Sequence, residues 1–320
     1  MGSVGLVLGA GGVVGGAYHA GALAALSEAA RWDARESEVI VGTSAGSIAA
    51  AALRAGLSGP DQYARSTSAP LSPEGEMLVG HLAPVLELPT RPAFPRGLPL
   101  PASPQLAATA LLPPWSARPL AALAGLLPAG SVPTAPIGDR IRRMMDGRWP
   151  ERPLWICAMR LRDGIRVVFG RDEVDAPDVG TAVEASSAIP GYLQPVEING
   201  ETFVDGGAHS PSNADVVAGI GLDLVVVIST MSAPWTALRP SPRIGSRALA
   251  SWVLEREVRA IRTSGTPVLV LEPTAEDLEI MGNNPMNPAR RASVAKQARA
   301  TTTQRLAHPA AADLVARLAA

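Results

Sequence analysis

The sequence predicts an α/β layer fold, and two observations carry the prediction. Two strand-turn-helix units fall in the first sixty residues, "VGLVLGAGG" leading into "GAYHAGALAALSEAA" and then "SEVIVGTSAGSIAAAALRAG". Beyond a proline-rich middle, short apolar strands return in "RPLWICAMRLRDGIRVVFG", Leu222 to Ile228 and "TPVLVLEP". Strands that alternate with helices bury their apolar faces by layering helices on a sheet.

In the first unit an apolar strand stops at a glycine turn, and the small residues of the next helix let it pack closely on a sheet. The second repeats the plan with the run Val39-Ile40-Val41, a sharp bend at Ser44 between Gly42 and Gly46, and an Ala-rich helix for which Gly56 is the stop. From about residue 59 to 150 proline recurs. Regular sheet is improbable there, short helical pieces such as Ala117 to Leu127 fit, and two readings stay open: a cap over a site or a linker on the body.

Next come two strands joined at Asp163-Gly164 and a helix with a Pro-containing corner. A hairpin around Asn199-Gly200 precedes the apolar strand at Leu222, and a helix from about Ser246 to Arg262 is followed by a last strand and Ala/Arg-rich helices.

Composition narrows the function. Apolar residues make up 47% of the 320 and charged ones 18%, which fits a compact globule and excludes a highly charged disordered chain. A net charge of −1 gives no global field for nucleic acid, so no nucleic-acid partner is expected. Cys157 is the lone cysteine, so the chain has no internal disulfide or thiolate metal cluster, which favours a cytoplasmic setting. The apolar start lacks the basic region of a secretory leader and reads as folded structure, and no uninterrupted apolar window reaches the roughly twenty residues of a membrane-spanning helix.

Ser44 is the candidate nucleophile, because G-x-S-x-G follows a β-branched run and opens a helix, a bend that exposes the hydroxyl. An attacking serine needs donors for the oxyanion, and the amides of Gly11, Gly12 and Val13 in the glycine turn are the candidates. For the base, the order Ser44, Asp205 and then His209 or His308 permits a triad, while Asp205, held at a strand end before two glycines, can take the proton itself. A rival reading makes Gly9, Gly11 and Gly15 a loosened dinucleotide fingerprint with Glu36 or Glu38 as the ribose acid, although Val14 stands where the third glycine belongs. His19 is expected to make a structural hydrogen bond inside a buried helix. The clusters "RIRRMM" and "RRASVAKQARATTTQR" read as solvated helix faces, the first able to touch an anionic membrane through Met144 and Met145.

The blocks "GAYHAG", "GTSAG", "ASSAIPGYLQPV" and "VDGGAHSPSNA", in this order from about Leu6 to Val216, resemble the patatin-like phospholipase family. The resemblance implies a three-layer α/β/α fold around a mostly parallel sheet, here as one domain over 1–320 with the Pro-rich insertion at about 59–150. It also implies a Ser-Asp dyad of Ser44 and Asp205 without histidine, an oxyanion hole at the glycine turn, lipid or other acyl esters as substrates, and no cofactor or metal. Peripheral contact with a membrane is the expected partner surface, and a catalytically inactive lipid-binding relative is the alternative. The family usually shows three glycines and an arginine in the turn; here Val13 and Gly15 take the third-glycine and arginine places, and the missing guanidinium favours neutral acyl esters.

Overall fold

A computed structural model describes residues 2–83, 100–109, 119–172 and 176–319. The chain runs β1 (Val4–Leu8), α1 (Gly12–Ala29), β2 (Val39–Thr43), α2 (Ala45–Arg54), α3 (Gly59–Thr67), α4 (Pro73–Val79), α5 (Pro104–Ala108), α6 (Pro119–Leu126) and α7 (Ala135–Met145). It continues through β3 (Leu154–Arg160), β4 (Arg166–Phe169), α8 (Val179–Ser187), β5 (Val196–Ile198), β6 (Glu201–Asp205) and β7 (Leu224–Ile228). Last come α9 (Ile244–Thr263), β8 (Val268–Leu271), α10 (Ala275–Met281), α11 (Arg291–Ala307) and α12 (Ala312–Ala319).

One sheet joins the strands in the order β5-β6-β3-β2-β1-β7-β8, with β4 also paired to β3. The pairs from β3 through β8 are parallel, while β4, β5 and β6 pair antiparallel. The parallel strands are apolar on both sides, as a sheet covered on both faces requires. Leu6, Leu8, Ile40, Ile156, Val226 and Ile228 meet α1, α2, α8 and α11 on one face. The alternate residues Val7, Val41, Cys157, Val225 and Val227 meet Leu254, Val258 and Ile261 of α9 on the other. The three-layer α/β/α expectation is met, with the layer on the α1 side the thicker. Each such buried aliphatic side chain contributes roughly 1.5–3 kcal/mol, so the period-two alternation fixes which face each strand presents.

The described part of the Pro-rich stretch forms short helices, as expected between prolines. Ser58, Ser72 and Ser103 each accept an amide hydrogen bond at a helix start, with proline in the first turn of α3, α4 and α5. There proline's fixed φ suits the helix and its missing N–H costs nothing. Leu106 of α5 with Ala121 and Ala124 of α6 pack on Met159, Leu161 and Val204, so these helices cover the end of the sheet face that α9 leaves open. Residues 84–99 and 110–118, part of the predicted insertion, lie outside the described residues.

Both Arg-rich segments also carry a buried side. Met144 and Met145 are half-buried and pack against the core. In α11 Val294, Ala295, Ala298, Thr302 and Leu306 are buried, and the small side chains let α11 lie close along α1. Among the described residues no helix is long and apolar enough to cross a membrane.

Candidate active site

The site begins where β2 stops. Ser44 takes φ 55° and ψ −122°, a region costly for a residue with a Cβ. The turn closes because neither neighbouring glycine carries a side chain. A Cβ at Gly42 would sit 2.5 Å from the Ser47 Cα, and one at Gly46 would overlap the Leu8 carbonyl oxygen of β1. Ser44 heads α2, its carbonyl accepting the Ser47 and Ile48 amides, while its side chain makes no cap bond. The hydroxyl is left for other partners.

The register of three strands brings Asp205 to it. β4 overlaps both β2 and β6 in its pairing along β3, so β4 holds one edge of β3, and β2 and β6 share the other end to end. Thr43 of β2 lies opposite Cys157, and Asp205 of β6 opposite the next residue, Ala158. The two strands run towards each other and their ends meet. Ser186 of α8 fills the junction: its hydroxyl donates to the Cys157 carbonyl at 2.7 Å and accepts the Ser44 amide at 2.9 Å.

Ser44 and Asp205 are 4% and 6% exposed. The Ser44 hydroxyl lies near enough to the Asp205 carboxyl to pull its pKa down, and the Gly207 amide donates to Oδ1 at 2.7 Å. Burial pushes the carboxyl up to about 6, overcoming the downward pull of those two groups. Asn213, in the left-handed region, ties the two strand ends from outside, donating to Thr43 Oγ1, the Gly206 carbonyl and the Ser210 carbonyl. Glu257 of α9 holds the same loop, accepting from Ser210, Ser212 and the Ala214 amide. Nothing local in the sequence marks Ser186, Asn213 or Glu257 for this work; only the blocks "ASSAIPG" and "SPSNA" hint at the first two.

The glycine turn faces the same place. Gly9, Ala10, Val14 and Gly15 give their amides to Ile228, Pro211, Pro285 and Gly11 carbonyls. The amides of Gly11, Gly12 and Val13 have no such acceptor among the described residues, as expected at the start of a helix with no side-chain cap. Two cavities meet at Ser44. One, of about 230 Å3, is lined by Gly12, Val13, Ser44, Ile48, Ile137 and Met144. The other, of about 320 Å3, is lined by Gly11, Gly12, Ser44, Leu123, Asp205 and Met231.

No histidine lines either cavity. His209 turns Nδ1 to the Gly164 carbonyl at 3.2 Å and acts electrostatically on Asp215, and exposed His308 accepts the Ala310 amide. His19 is fully buried and pushed down to about 4 by desolvation. The Ile228 carbonyl lies near its ring, yet neither nitrogen has hydrogen-bond geometry with a described residue, so the expected structural bond is not formed.

The dinucleotide reading fails on topology. β1 and β2 are parallel with Gly5 opposite Val39, so Glu36 and Glu38, which precede β2, lie at the strand ends away from the glycine turn. A ribose acid belongs at the other end, where Ser44 stands. Position 15 has no room for a side chain, since its Cβ would sit 2.6 Å from Thr230 Oγ1.

A family model described as patatin-like phospholipase matches residues 6–218, which take in β1, the elbow at Ser44 and Asp205. The chain belongs to the patatin-like phospholipase family. This patatin-like chain is 36% identical over 77 residues to uncharacterized NTE family proteins of Mycobacterium tuberculosis and Mycobacterium bovis. The match covers 24% of the chain and spans only 20% of the length of those relatives. Among solved structures, VipD from Legionella pneumophila aligns at 17% identity and TM-score 0.44, over 96% of this chain and 67% of VipD. The type III effector protein ExoU aligns at 19% identity and TM-score 0.38, over 95% of this chain and 53% of its own.

Proposed function

We propose that this patatin-like protein is a serine acyl hydrolase acting on lipid esters through an acyl-Ser44 intermediate. The observation that carries the reading is the buried approach of the Ser44 hydroxyl to the Asp205 carboxyl, at a serine that lines two largely apolar cavities. Asp205 takes the hydroxyl proton as Ser44 Oγ adds to the ester carbonyl carbon, and the carbonyl electron pair moves onto oxygen. The amides of Gly11, Gly12 and Val13 receive that negative charge; a donor so placed is typically worth about 3 kcal/mol in the transition state.

Collapse of the tetrahedral adduct breaks the bond to the alcohol, which leaves with the proton returned by Asp205. Water then attacks the acyl-serine, Asp205 accepts its proton, and the acid departs as Ser44 recovers its hydrogen. A buried carboxylate is a stronger base than one in water, which is how an aspartate replaces a histidine here. The walls around Leu120, Leu123, Leu127 and Met281 suit an acyl chain. Helix α6 of the Pro-rich segment supplies part of that wall, which supports a substrate-covering role within a single domain.

Labelling with a fluorophosphonate probe tests the proposal. The wild-type protein should label at Ser44 and Ser44→Ala should not; a wild-type protein that neither labels nor cleaves a p-nitrophenyl ester overturns it.

A further inference from the structure

Three arginines from three separate helices line the cavity that opens at Ser44: Arg65 of α3, Arg140 of α7 and Arg291 of α11. They share a backbone scaffold. Arg65 donates to the Val79 and Ala83 carbonyls, both at 2.8 Å, Arg140 donates to the same Ala83 carbonyl at 2.7 Å, and Arg291 donates to the Arg65 carbonyl at 3.4 Å. None forms a salt bridge with a described acid, in contrast to Arg35, Arg142, Arg160, Arg166 and Arg299, which all do. Among the described residues the acid that acts on the group is Glu76, exposed on α4, whose field reaches Arg65. Desolvation first, and then the neighbouring positive charges, depress Arg65 and Arg140, the latter to about 10, and burial alone depresses Arg291.

Half-buried guanidinium groups gathered without carboxylates are costly unless an anion joins them. Planar donors with unused N–H groups match the oxygens of a phosphate. Among the described residues the lining of this cavity contains no aspartate or glutamate, so a choline or ethanolamine ammonium entering it meets only like charge from them. The second cavity also has arginines, but Arg247 there is committed to the Thr230, Met231 and Ser232 carbonyls.

We propose that Arg65, Arg140 and Arg291 form an anion subsite beside Ser44 that seats the phosphate of an ester substrate whose head group is anionic and lacks an ammonium. The inference rests on the hydrolase reading above and reverses the expectation of neutral esters drawn from the turn without arginine. The arginine-lined and leucine-lined cavities share Gly12, Ser44, Ile189 and Met286, so one substrate can reach into both with its ester at the hydroxyl.

Three oleoyl esters that differ only in head group test it: lysophosphatidate, lysophosphatidylcholine and monooleoylglycerol. The wild-type kcat/KM for lysophosphatidate should exceed the other two by about tenfold or more, as expected for one or two charge-assisted hydrogen bonds. Arg140→Gln with Arg291→Gln should bring the ratio towards one, and Arg140→Lys should keep part of it. The ratio is internal to each protein, and its unfolding midpoint identifies a misfolded variant. Inorganic phosphate should inhibit lysophosphatidate hydrolysis competitively in the wild type, a readout that needs no variant.

Equal rates on the three esters, or a preference that survives the double substitution and falls instead with Arg243→Gln, overturn the subsite while leaving the hydrolase reading in place. Phosphate that binds Ser44→Ala protein in an arginine-dependent way without any head-group preference in the wild type makes free phosphate the ligand and overturns the lipid assignment. Arginine-dependent phosphate binding by a protein that hydrolyses no ester supports the anion site and refutes the hydrolase.

Discussion

Ser44 and Asp205 meet because β2 and β6 abut on one edge of β3, pointing at each other with their ends opposite Cys157 and Ala158. The contact is thus built into backbone hydrogen bonding, and the carboxylate is held by the sheet rather than by a flexible loop. That rigidity is what lets a single buried acid serve as the base in the proposed reaction.

The first prediction concerns pH. Asp205 must be ionised to accept a proton, and burial raises its pKa to about 6, so kcat/KM on p-nitrophenyl butyrate should rise with pH and level off above about 6. The same shift has a stability cost of the opposite sense. Below the unfolded aspartate value of 3.8 both states are protonated; as pH rises through about 6 the folded state loses the advantage of holding the neutral acid. Asp205→Asn should therefore be more stable than wild type at pH 7.5 by about 1–3 kcal/mol, read as a raised unfolding midpoint, while losing esterase activity by roughly a hundredfold or more. A wild-type pH profile with its acid limb near 4 would contradict this.

The elbow was legible in the sequence and its partner less so, for one reason. Gly42, Ser44 and Gly46 act through contacts within a few residues and with the neighbouring strand, so spacing alone exposes them. Asp205 depends on the register of β6 along β3, a long-range property, and an Asp-Gly pair at a strand end has an ordinary turn reading as well. Ser186 and Asn213 were harder still. Each is one polar residue among many until the two strand ends it ties are known to meet. The proline-rich stretch was legible as short helices rather than sheet, but where each begins was not, since Ser58-Gly59-Pro60, Ser72-Pro73 and Ser103-Pro104 read as turns as readily as helix starts. Chain order alone left a triad with His209 or His308 open, because order constrains a triad but does not place it in space.

Ser186 is predicted to act as a positioning residue. Ser186→Ala removes both the acceptor of the Ser44 amide and the donor to Cys157 O, leaving two buried backbone groups unpaired at a cost of roughly 1–3 kcal/mol. The Ser44 turn should loosen, so kcat falls with little change in KM, while the apparent pKa of the acid limb moves because the Ser44 influence on Asp205 weakens. Equal loss in kcat and gain in KM would argue for a general folding defect instead.

Glycine substitutions separate close approach from helix propensity. Gly46→Ala drives a methyl group into the Leu8 carbonyl, with backbone on both sides and nothing flexible to yield, so α2 must move off β1. The expected loss is roughly 3 kcal/mol, at the upper end for overpacking, and activity should fall with it. Gly245→Ala, in the first turn of α9 with open space around it, should be neutral or stabilise by up to about 1 kcal/mol. Paired thermal melts check both, and similar melts for the two variants would remove the steric account of the elbow.

The histidines provide the sharpest contrast between a dyad and a triad. His209 points to the Gly164 carbonyl and interacts with Asp215, itself paired with Arg166 at 2.6 Å, so its charge is engaged on the side of β4 rather than at Ser44. His308 caps a turn near the C-terminus. His209→Ala and His308→Ala should each retain p-nitrophenyl butyrate hydrolysis within about threefold of wild type, against the hundredfold or larger loss typical of removing a general base. Loss of activity in either variant with a native melting profile would require a rearrangement that brings that imidazole to the serine, and would return Asp205 to the role of its orienting partner.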